Sequence, residues 1–331
     1  MLGKSIIALG LVAAIASVYL STTMSPAVNV ESEFMNFVSD FRRSYFSKDE
    51  YTFRLGVFSN KLKEIEELNR NSDGVTHGIT QFADWTQEEF DAILTLRPTE
   101  EDEVPAQHIH NLKAPAAEKD WRNEGNDVKD QASCGSCWAF AATATIEYIA
   151  SIQNKKKIDV SEQELVDCAT SAAGYSNNGC NGGWYNWAWD YVADKGGLVE
   201  QSKYKYHAKD ETCNPGDNER YGAIEKGHTN LGNNANLNTI RSAVNTHPVA
   251  MAAYASNWSS YTGGIFKCGF YFQVNHAITI VGYTDEYWLV RNSWGKRWGE
   301  DGYMKLKATQ DTQEDCGARN YIKYPTVKPN A

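Results

Sequence analysis

The sequence predicts an α+β protein in which a helical half is followed by a strand-rich half, with a groove between the two. Helical signals extend from Trp138 to Val192 and begin with an alanine-rich run. Past residue 240 the apolar runs become short and are bounded by Gly, Asn or Asp, which is typical of strands. A separate helical segment, residues 26–97, precedes both halves and contains no cysteine.

The 331-residue chain has an ordinary globular composition, with 42% hydrophobic and 22% charged residues. That balance excludes a disordered, collagen-like or coiled-coil protein. The formal net charge of −10 gives no reason to expect a nucleic-acid partner. The one long apolar stretch, Ile6 to Leu20, follows Lys4 and is too short for a typical membrane span. We interpret residues 1–25 as a secretory signal, with no membrane association after its removal.

Three helices are predicted in the front segment, residues 26–97. Two of them follow from apolar residues at helical spacing, namely Phe34, Phe37, Val38 and Phe41, then Phe58, Leu62, Ile65 and Leu68. The third begins at a capping box formed by Thr86 and Glu89. Residues 98–116 then contain three prolines and the acidic run Glu100 to Glu103, which predicts an exposed linker.

The elements of residues 117–331 follow from the same signals. Helices are predicted over Trp138–Ile152, after a capping box of Ser161 and Glu164, and over Trp184–Val192. Strands are predicted at Val249–Tyr254, Ala277–Tyr283, Tyr287–Arg291 and Tyr303–Leu306. We place the change from the helical part, 117–230, to the β part, 231–331, near residue 230.

Seven cysteines lie beyond residue 130, and the oxidising lumen of a secretory pathway would pair them. An odd number leaves one thiol over, which is either structural, paired between chains or chemically active. Cys137 is the candidate for chemistry because an amphipathic helix begins there. A helix N-terminus stabilises negative charge and lowers the pKa of a thiol.

A thiolate nucleophile needs an imidazole partner that accepts and returns a proton. His276 is the candidate among seven histidines because it opens an apolar strand, and a strand start directs a side chain into a groove. Asn292 provides an amide that can orient the imidazole, and Trp294 can keep water away from that hydrogen bond.

Four motifs in this order make the sequence resemble a papain-family cysteine protease of the cathepsin L type, in its precursor form. They are the string from Gln131 to Phe140, Cys180-Asn181-Gly182-Gly183, the strand at His276, and Asn292-Ser293-Trp294-Gly295. The front segment resembles the family's inhibitory propeptide through Glu50, Arg54, Phe58, Ile65 and Asn69, at the spacing of the ERFNIN helix motif. A second propeptide motif spans Gly78 to Asp84.

The sequence departs from the family pattern at four places. Lys61 occupies the first Asn of the helix motif, and Thr80 replaces an Asn in the second motif. Ala132 stands where the family usually has Gly, which predicts local strain if that position needs a positive φ. The stretch from Asp120 to Gln131 is about two residues short.

The resemblance implies a papain-like fold and a cysteine endopeptidase that is made inactive and activated by propeptide removal, at acid pH. It implies that Cys137 attacks the peptide carbonyl, that His276 transfers the proton and that Asn292 orients the imidazole. The oxyanion would be held by the Gln131 amide and the Cys137 backbone N–H. The implied disulfides are Cys134–Cys180, Cys168–Cys213 and Cys268–Cys316, which leaves Cys137 free.

Substrate contacts are also implied by the resemblance. Gly183 would offer its backbone to the substrate, and the main specificity pocket would be lined by Trp184, Tyr185 and Tyr321. We expect a narrow aromatic pocket that prefers Leu or Val to Arg. The alternative is that Trp184 and Tyr185 begin a helix that packs into the core. The further substrate-contact candidates are Gly182, Asn275 and Trp294.

The expected partners are protein and peptide substrates, the chain's own propeptide as an intramolecular inhibitor, and protein inhibitors of the cystatin type. We expect a monomer in a lysosome-like or food-vacuolar compartment, or a secreted one. Processing is predicted within residues 106–117 of the linker. Asn257 begins a glycosylation sequon, and no metal or cofactor is expected.

Three functions of other classes stay open. Cys134 and Cys137 have the spacing of a redox pair, although no βαβ setting surrounds them. A zinc site is disfavoured because the other cysteines are widely spaced. The remaining alternative is a catalytically impaired homologue that acts as a binding or inhibitory protein.

Overall fold

A computed structural model describes residues 29–96, 114–269, 273–311 and 313–329. The predicted signal and nearly all of the predicted linker lie outside these ranges. The α-helices are α1 (Val30–Asp40), α2 (Lys48–Arg70), α3 (Gln87–Asp91), α4 (Cys137–Asn154), α5 (Glu162–Cys168), α6 (Tyr185–Lys195) and α7 (Leu237–Thr246).

The strands alternate with these helices and are concentrated in the second half of the chain. They are β1 (Thr76–His77), β2 (Lys119–Asp120), β3 (Leu198–Val199), β4 (Arg220–Tyr221), β5 (Ile224–Asn230), β6 (Val249–Ala253), β7 (Tyr261–Gly263), β8 (Ile265–Phe266), β9 (His276–Tyr283), β10 (Tyr287–Arg291), β11 (Tyr303–Lys307) and β12 (Lys323–Val327).

An eight-stranded sheet forms the framework of the strand-rich half. Its order is β5-β12-β6-β9-β10-β11-β8, with β2 also pairing with β9. The β8–β11 pair is parallel, whereas β9 pairs antiparallel with β2, β6 and β10. Every residue of β9, including its first residue His276, is buried, and the strand lies between β6 and β10.

Helix α4 forms the framework of the helical half. Its residues from Cys137 to Ser151 are all buried, so the prediction of an amphipathic helix at Cys137 is wrong: this alanine-rich helix has no solvent-facing polar side along those residues. The helix packs against α5 and α6 on one side and against β9 on the other. Cys137, at the start of α4, therefore lies at the boundary between the two halves.

The boundary predicted near residue 230 does not separate helices from strands cleanly. β5 ends at Asn230 but belongs to the large sheet, and α7 lies within the strand-rich half. β5 has no apolar run because it is an edge strand with exposed residues in its middle. β12 contains Pro325, which lacks an N–H and argues against a strand in the sequence.

One predicted capping box is complete and the other is only half formed. At the start of α3, Thr86 and Glu89 exchange side-chain to backbone bonds in both directions. At the start of α5, Ser161 accepts from the Glu164 N–H, but the Glu164 side chain does not return to Ser161. Its carboxylate instead accepts from Tyr191, Arg220 and the Val199 N–H, which satisfy a fully buried anion.

The front segment has a small aromatic core of its own. Phe34, Phe37 and Phe58 are at most 2% exposed, and the ring of Phe58 lies 5.2 Å from that of Phe34 and 5.1 Å from that of Phe37. Arg54 links α2 to α3, because its guanidinium donates to both carboxylate oxygens of Glu89 at 2.6 and 2.8 Å. Lys61, the first of the two departures from the propeptide motifs, forms a salt bridge with Glu64 on the same helix, with 2.6 Å between Nζ and Oε2.

The front segment docks on the strand-rich half by strand pairing and by aromatic packing. β1 pairs antiparallel with β7, and the Gly78 N–H donates to the carbonyl oxygen of Ser260 at 2.8 Å. The buried hydroxyl of Thr80 donates to Ser259 O at 2.6 Å, so the second departure keeps a hydrogen bond across this interface. Phe82 stands edge-on to Trp294 with a centroid distance of 5.2 Å.

Two large side chains, Arg291 and Tyr148, pack against the short stretch from Asp120 to Gln131. Arg291 is 5% exposed and its guanidinium donates to the carbonyls of Asn126 and Asp127 at 2.7 and 2.6 Å. Gly125 lies so close to Tyr148 that a Cβ there would be 2.2 Å from the ring. The shorter loop is thus held down by bonds to its backbone.

We expect Phe58→Ala to loosen the front segment by about 3–5 kcal/mol, because it empties the centre of that aromatic core. The matched control is Phe53→Ala on the same helix, since Phe53 is 53% exposed. Pulse proteolysis of the precursor, in a Cys137→Ser background that prevents self-cleavage, measures the effect. Equal resistance of the two variants would contradict the prediction.

Candidate active site

Cys137 is the first residue of α4 and is completely buried. Its sulfur faces the backbone N–H groups of Trp138, Ala277 and Thr95, which act as hydrogen-bond donors to it. Trp138 belongs to the first turn of α4, Ala277 to the start of β9 and Thr95 to the front segment. The thiol thus lies where the helical half, the strand-rich half and the front segment meet.

His276 is likewise fully buried, and its ring is fixed by three side chains. The Nε2 atom lies 2.7 Å from Asn292 Oδ1. Because an amide oxygen only accepts, this contact places a proton on Nε2 and leaves Nδ1 as the basic nitrogen. Trp294 stacks on the imidazole at 4.8 Å, and Trp258 meets it edge-on at 6.3 Å. These indoles exclude water from the hydrogen bond.

Burial sets the protonation of both groups. Desolvation raises the pKa of the Cys137 thiol to about 11, although the surrounding N–H groups oppose this change. Desolvation lowers the pKa of His276 to about 4, against the bond to Asn292. Both residues are therefore neutral near pH 7 in this structure, in which the front segment covers them.

Gln131 is buried in the turn that precedes α4, and its side-chain amide has a fixed orientation. Ser293 Oγ donates to Gln131 Oε1 at 2.6 Å, so the amide nitrogen must point the other way. Nε2 donates to Cys134 O at 2.9 Å and to Ile93 O at 3.3 Å. The amide thus already holds a peptide carbonyl of the front segment. Ser293 was not singled out from the sequence, although its place directly after Asn292 is a usable signal.

Four residues of the front segment, Ile93 to Leu96, cover the site. Thr95 donates its hydroxyl to Gly135 O at 2.7 Å, and Leu96 donates its N–H to Asn275 O at 3.0 Å. Ile93 and Leu94 belong to the buried cluster that contains Trp294. Leu96, which is 1% exposed, belongs to the cluster that contains Trp184. Sequence reasoning missed this segment because its role depends on tertiary docking.

Gly182 and Gly183 each lie so close to neighbouring atoms that a Cβ would clash, but the neighbours differ. A Cβ on Gly182 would lie 2.5 Å from Thr95 O, so this position faces the covering segment. A Cβ on Gly183 would instead meet Asn177 Oδ1 at 2.2 Å and Trp138. The close approach that requires a glycine next to the covering chain is therefore at Gly182.

Trp184, Tyr185 and Tyr321 form a contiguous aromatic group that belongs to the same buried cluster as Leu96. The Trp184 ring lies 5.3 Å from that of Tyr185 and 5.4 Å from that of Tyr321, and the Tyr185 hydroxyl donates to Tyr321 O. Tyr185 is also 5.4 Å from Trp189 and is fully buried. Tyr185 thus packs into the core together with α6, as the second of the two alternatives expects.

The cysteines pair as Cys134–Cys180, Cys168–Cys213 and Cys268–Cys316, with Cys137 free. Cys134 is therefore not available as the redox partner of Cys137. A zinc site built from several thiolates is equally excluded, and the described residues contain no group of three His, Cys, Asp or Glu side chains placed to hold a metal. Within the same residues, no helix is both long and apolar enough to cross a membrane.

Two further sequence candidates have clear structural settings. Asn257 is exposed in the turn before β7, so a glycan at this position would point into solvent. Ala132 has a φ of 51°, which confirms that the position next to Gln131 needs the left-handed backbone that glycine adopts easily.

Comparison with known proteins gives two family matches. A model of the papain family cysteine protease matches residues 115–326, and a model of the cathepsin propeptide inhibitor domain (I29) matches residues 34–90. Fruit bromelain from Ananas comosus is 37% identical over 315 residues, which cover 90% of this chain and 87% of the relative. Cathepsin L 2 from Paramecium tetraurelia is 35% identical over 317 residues, covering 92% and 97%.

Solved structures show the same relationship for the whole precursor. Digestive procathepsin L 3 from the larval midgut of Tenebrio molitor superposes with a TM-score of 0.79 at 30% identity. The superposition covers 90% of this chain and 99% of that one. The similarity therefore includes the front segment and both halves.

We expect Ala132→Gly to raise the free energy of unfolding by about 0.5–1 kcal/mol. A left-handed alanine costs about 1–2 kcal/mol, and the greater freedom of glycine in the unfolded chain returns about 0.4–1 kcal/mol. Denaturant unfolding in a Cys137→Ser background measures the change. Ala208→Gly is the matched control, because Ala208 has a φ of 57° away from the site. A destabilised Ala132→Gly variant, with Ala208→Gly stabilised, would show that the Ala132 side chain makes stabilising contacts.

Proposed function

The chain belongs to the papain family of cysteine proteases, and we propose that Cys137, His276 and Asn292 carry out its peptidase reaction. It is a cysteine endopeptidase made as a zymogen, because a cathepsin propeptide inhibitor domain precedes the peptidase domain. The proposal for the residues is supported above all by Gln131, whose amide binds the Ile93 carbonyl of the covering segment at 3.3 Å. A place that holds one peptide carbonyl is suited to hold that of a substrate.

The reaction proceeds in two steps. Cys137 Sγ attacks the peptide carbonyl carbon as a thiolate, with the proton on the imidazole of His276. The C–N bond then breaks, His276 gives the proton to the leaving amine, and a thioester remains on Cys137. In the second step His276 takes a proton from water, which attacks the thioester and releases the acid and the thiol. Asn292 keeps the imidazole in the orientation required for both transfers.

The negative oxygen of each tetrahedral intermediate is stabilised by two donors, the Gln131 side-chain amide and the Cys137 backbone N–H. The bond from Ser293 to the Gln131 oxygen supports this role, because it keeps Nε2 directed towards the site. Preorganised donors of this kind act without reorganisation during the reaction.

The zymogen is inactive for two physical reasons. Residues Ile93 to Leu96 fill the site. The Thr95 N–H donates a hydrogen bond to the Cys137 sulfur, and the Ile93 carbonyl accepts one from the Gln131 amide. The same burial keeps the thiol and the imidazole neutral, whereas the reaction needs the thiolate and imidazolium. Removal of the front segment lets water reach both groups and favours the ion pair.

The pocket formed by Trp184, Tyr185 and Tyr321 binds the P2 residue, the second residue before the cleaved bond. Leu96 supports a preference for Leu or Val, since an aliphatic side chain of the propeptide is buried in the same cluster. The narrow aromatic walls disfavour Arg and Phe.

The biological setting follows from the same proposal. The mature enzyme is a monomer of residues from about 117 to 331, released by cleavage within residues 106–117 after the signal, residues 1–25, has been removed. It acts in a lysosome-like or food-vacuolar compartment, or after secretion, and cystatin-type proteins inhibit it. Asn257 carries a glycan on an exposed turn.

The test is hydrolysis of a fluorogenic Leu-Arg amide by the purified precursor, before and after incubation near pH 5. We expect activity to appear together with the loss of ~10 kDa, and Cys137→Ser to have none. Iodoacetamide should alkylate Cys137 slowly in the precursor at pH 7 and rapidly in the mature enzyme, because burial holds the thiol pKa at about 11. A shortened wild-type chain that is inactive on a broad peptide set would favour the impaired binding protein instead.

A second prediction concerns pH and His77, at the interface between β1 and β7. His77 Nδ1 lies 3.0 Å from Ser260 Oγ, and burial lowers its pKa below 6.5 although Glu64 opposes the shift. Docking therefore favours the neutral ring, and this contribution is lost as the pH falls below about 6.5. Burial raises the pKa of Asp84, whose partners Arg43 and Tyr45 lie in the front segment, so its protonation at low pH favours the folded front segment and acts in the opposite direction.

We therefore expect His77→Gln to activate more slowly than wild type between pH 5 and 6 and to show a flatter pH dependence. Activation rates measured from pH 4 to 7 test this. His207→Gln is the control, because His207 is exposed and pairs with Glu211 in the peptidase domain. An unchanged profile for His77→Gln would exclude His77 as a contributor.

A further inference from the structure

A tyrosine hydroxyl bridges the two ends of the turn that leads into α4. Tyr206 Oη donates to the Gln131 carbonyl at 2.9 Å and lies 2.6 Å from Ser136 Oγ. Because the one proton of the tyrosine goes to a carbonyl that can only accept, the Ser136 hydroxyl must donate to Tyr206 Oη. Sequence reasoning did not single out Tyr206, because it lies 70 residues after Ser136.

Both ends of this bridge are buried. Gln131 and Ser136 have no exposed surface, and the ring of Tyr206 stands edge-on to that of Phe140 in α4 with a centroid distance of 4.9 Å. Burial raises the pKa of the Tyr206 hydroxyl above its ordinary value, so the group keeps its proton at neutral and acid pH. Tyr206 is therefore a permanent donor to the Gln131 carbonyl at those pH values.

The Ser136 hydroxyl takes part in this bridge instead of capping the helix. Ser136 is the N-cap residue of α4, but its side chain makes no cap bond to the first turn. Serine is favoured at an N-cap because its hydroxyl accepts from an N–H of that turn, in an extended backbone conformation. Ser136 has a φ of −107° and a ψ of 16°, which is not extended. Its hydroxyl therefore serves the turn and not the helix.

The bridged turn contains an unfavourable backbone conformation. Ala132, next to Gln131, has a φ of 51°, in the left-handed region that is unfavourable for a residue with a Cβ. Such conformations persist only where the surrounding structure holds them. The disulfide Cys134–Cys180 holds the middle of the turn, and Tyr206 holds its two ends. The separation of the two ends is therefore fixed by contacts from outside the turn.

These two ends adjoin the two proposed oxyanion donors. One donor is the side-chain amide of Gln131, whose carbonyl is bound by Tyr206. The other is the backbone N–H of Cys137, which directly follows Ser136 in the chain. Ser293 fixes the direction of the Gln131 amide. The Tyr206 bridge adds a second restraint, on the distance between the peptide groups that carry the two donors.

We propose that Tyr206 is a positioning residue which holds the two oxyanion donors at the spacing that the tetrahedral intermediate requires. The inference rests on the proposed function, since it presumes that Gln131 and the Cys137 N–H stabilise the oxyanion. Preorganised donors are effective because they do not have to move during the reaction. Loss of the bridge therefore weakens an interaction made in the transition state, which lowers kcat and leaves KM nearly unchanged.

The experiment measures kcat and KM of the activated enzyme on the Leu-Arg amide for Tyr206→Phe, which removes only the hydroxyl. We expect kcat to fall about tenfold and KM to change by less than about twofold, since complete loss of an oxyanion donor costs about 10²–10³ in kcat. Tyr204→Phe is the matched control on the same loop, because its hydroxyl donates to Asp167 at 2.7 Å and not to the turn. Its kcat should stay close to that of wild type.

Two further measurements separate positioning from a general effect on the structure. In a Gln131→Ala background, Tyr206→Phe should lower kcat by less than about twofold, because the donor that it positions is already absent. Dipyridyl disulfide reacts with the thiolate at sulfur, so no oxyanion forms. Tyr206→Phe should therefore react with this reagent at the wild-type rate from pH 4 to 7.

Each outcome supports or overturns the inference. A Tyr206→Phe enzyme with the wild-type kcat overturns it, and so does a loss of kcat that is equally large in the Gln131→Ala background. Slow reaction of Tyr206→Phe with dipyridyl disulfide also overturns it, because the hydroxyl then acts on the nucleophile.

Ser136→Ala provides the decision if Tyr206→Phe does not fold. It breaks one end of the bridge, and we expect about a threefold loss of kcat that Gln131→Ala abolishes. An unchanged kcat for Ser136→Ala overturns the inference in that case. Wild type that cleaves no peptide amide contradicts the proposed function itself, and the inference fails with it.

Discussion

Exclusion of water from the Cys137–His276 pair is the constraint on which the rest of this precursor depends. Desolvation moves the pKa of the thiol up to about 11 and that of the imidazole down to about 4. In the proposed reaction these two groups carry opposite charges, and their burial in the precursor keeps both neutral. The covering segment therefore acts on the chemistry of the site as well as on access to it, and both effects end when the segment leaves.

The geometry that survives this removal is held by the two halves themselves. β9 is buried along its length between β6 and β10, so His276 keeps its place without the front segment. Asn292 and Ser293 follow β10 directly, and they fix the imidazole and the Gln131 amide respectively. The hydrogen bonds that orient the proposed catalytic side chains therefore lie within the peptidase domain.

The residues proposed for the chemistry could be selected from the sequence more completely than the topology could be predicted. Cys137, His276 and Asn292 stand in short strings in which local order carries the meaning, and the structure brings all three of these strings together. Three elements were not predicted, each for its own reason. β5 is an edge strand without an apolar run, and β12 contains Pro325, which argues against a strand. The start of α7 depends on the N-cap residue Asn236, which the sequence analysis did not recognise. The covering segment, Ile93 to Leu96, and the Tyr206–Gln131 contact depend on residues far apart in the chain, which no local pattern encodes.

The disulfides also determine how inhibition ends. Each closes a loop within the peptidase domain, with separations of 46, 45 and 48 residues, and every cysteine lies after residue 130. No disulfide therefore joins the front segment to the peptidase domain, and their covalent tether is the chain between them. One cut in this tether replaces an effective concentration in the millimolar range by the actual concentration of free propeptide. Inhibition then becomes a bimolecular equilibrium, so dilution alone shifts it towards the open enzyme.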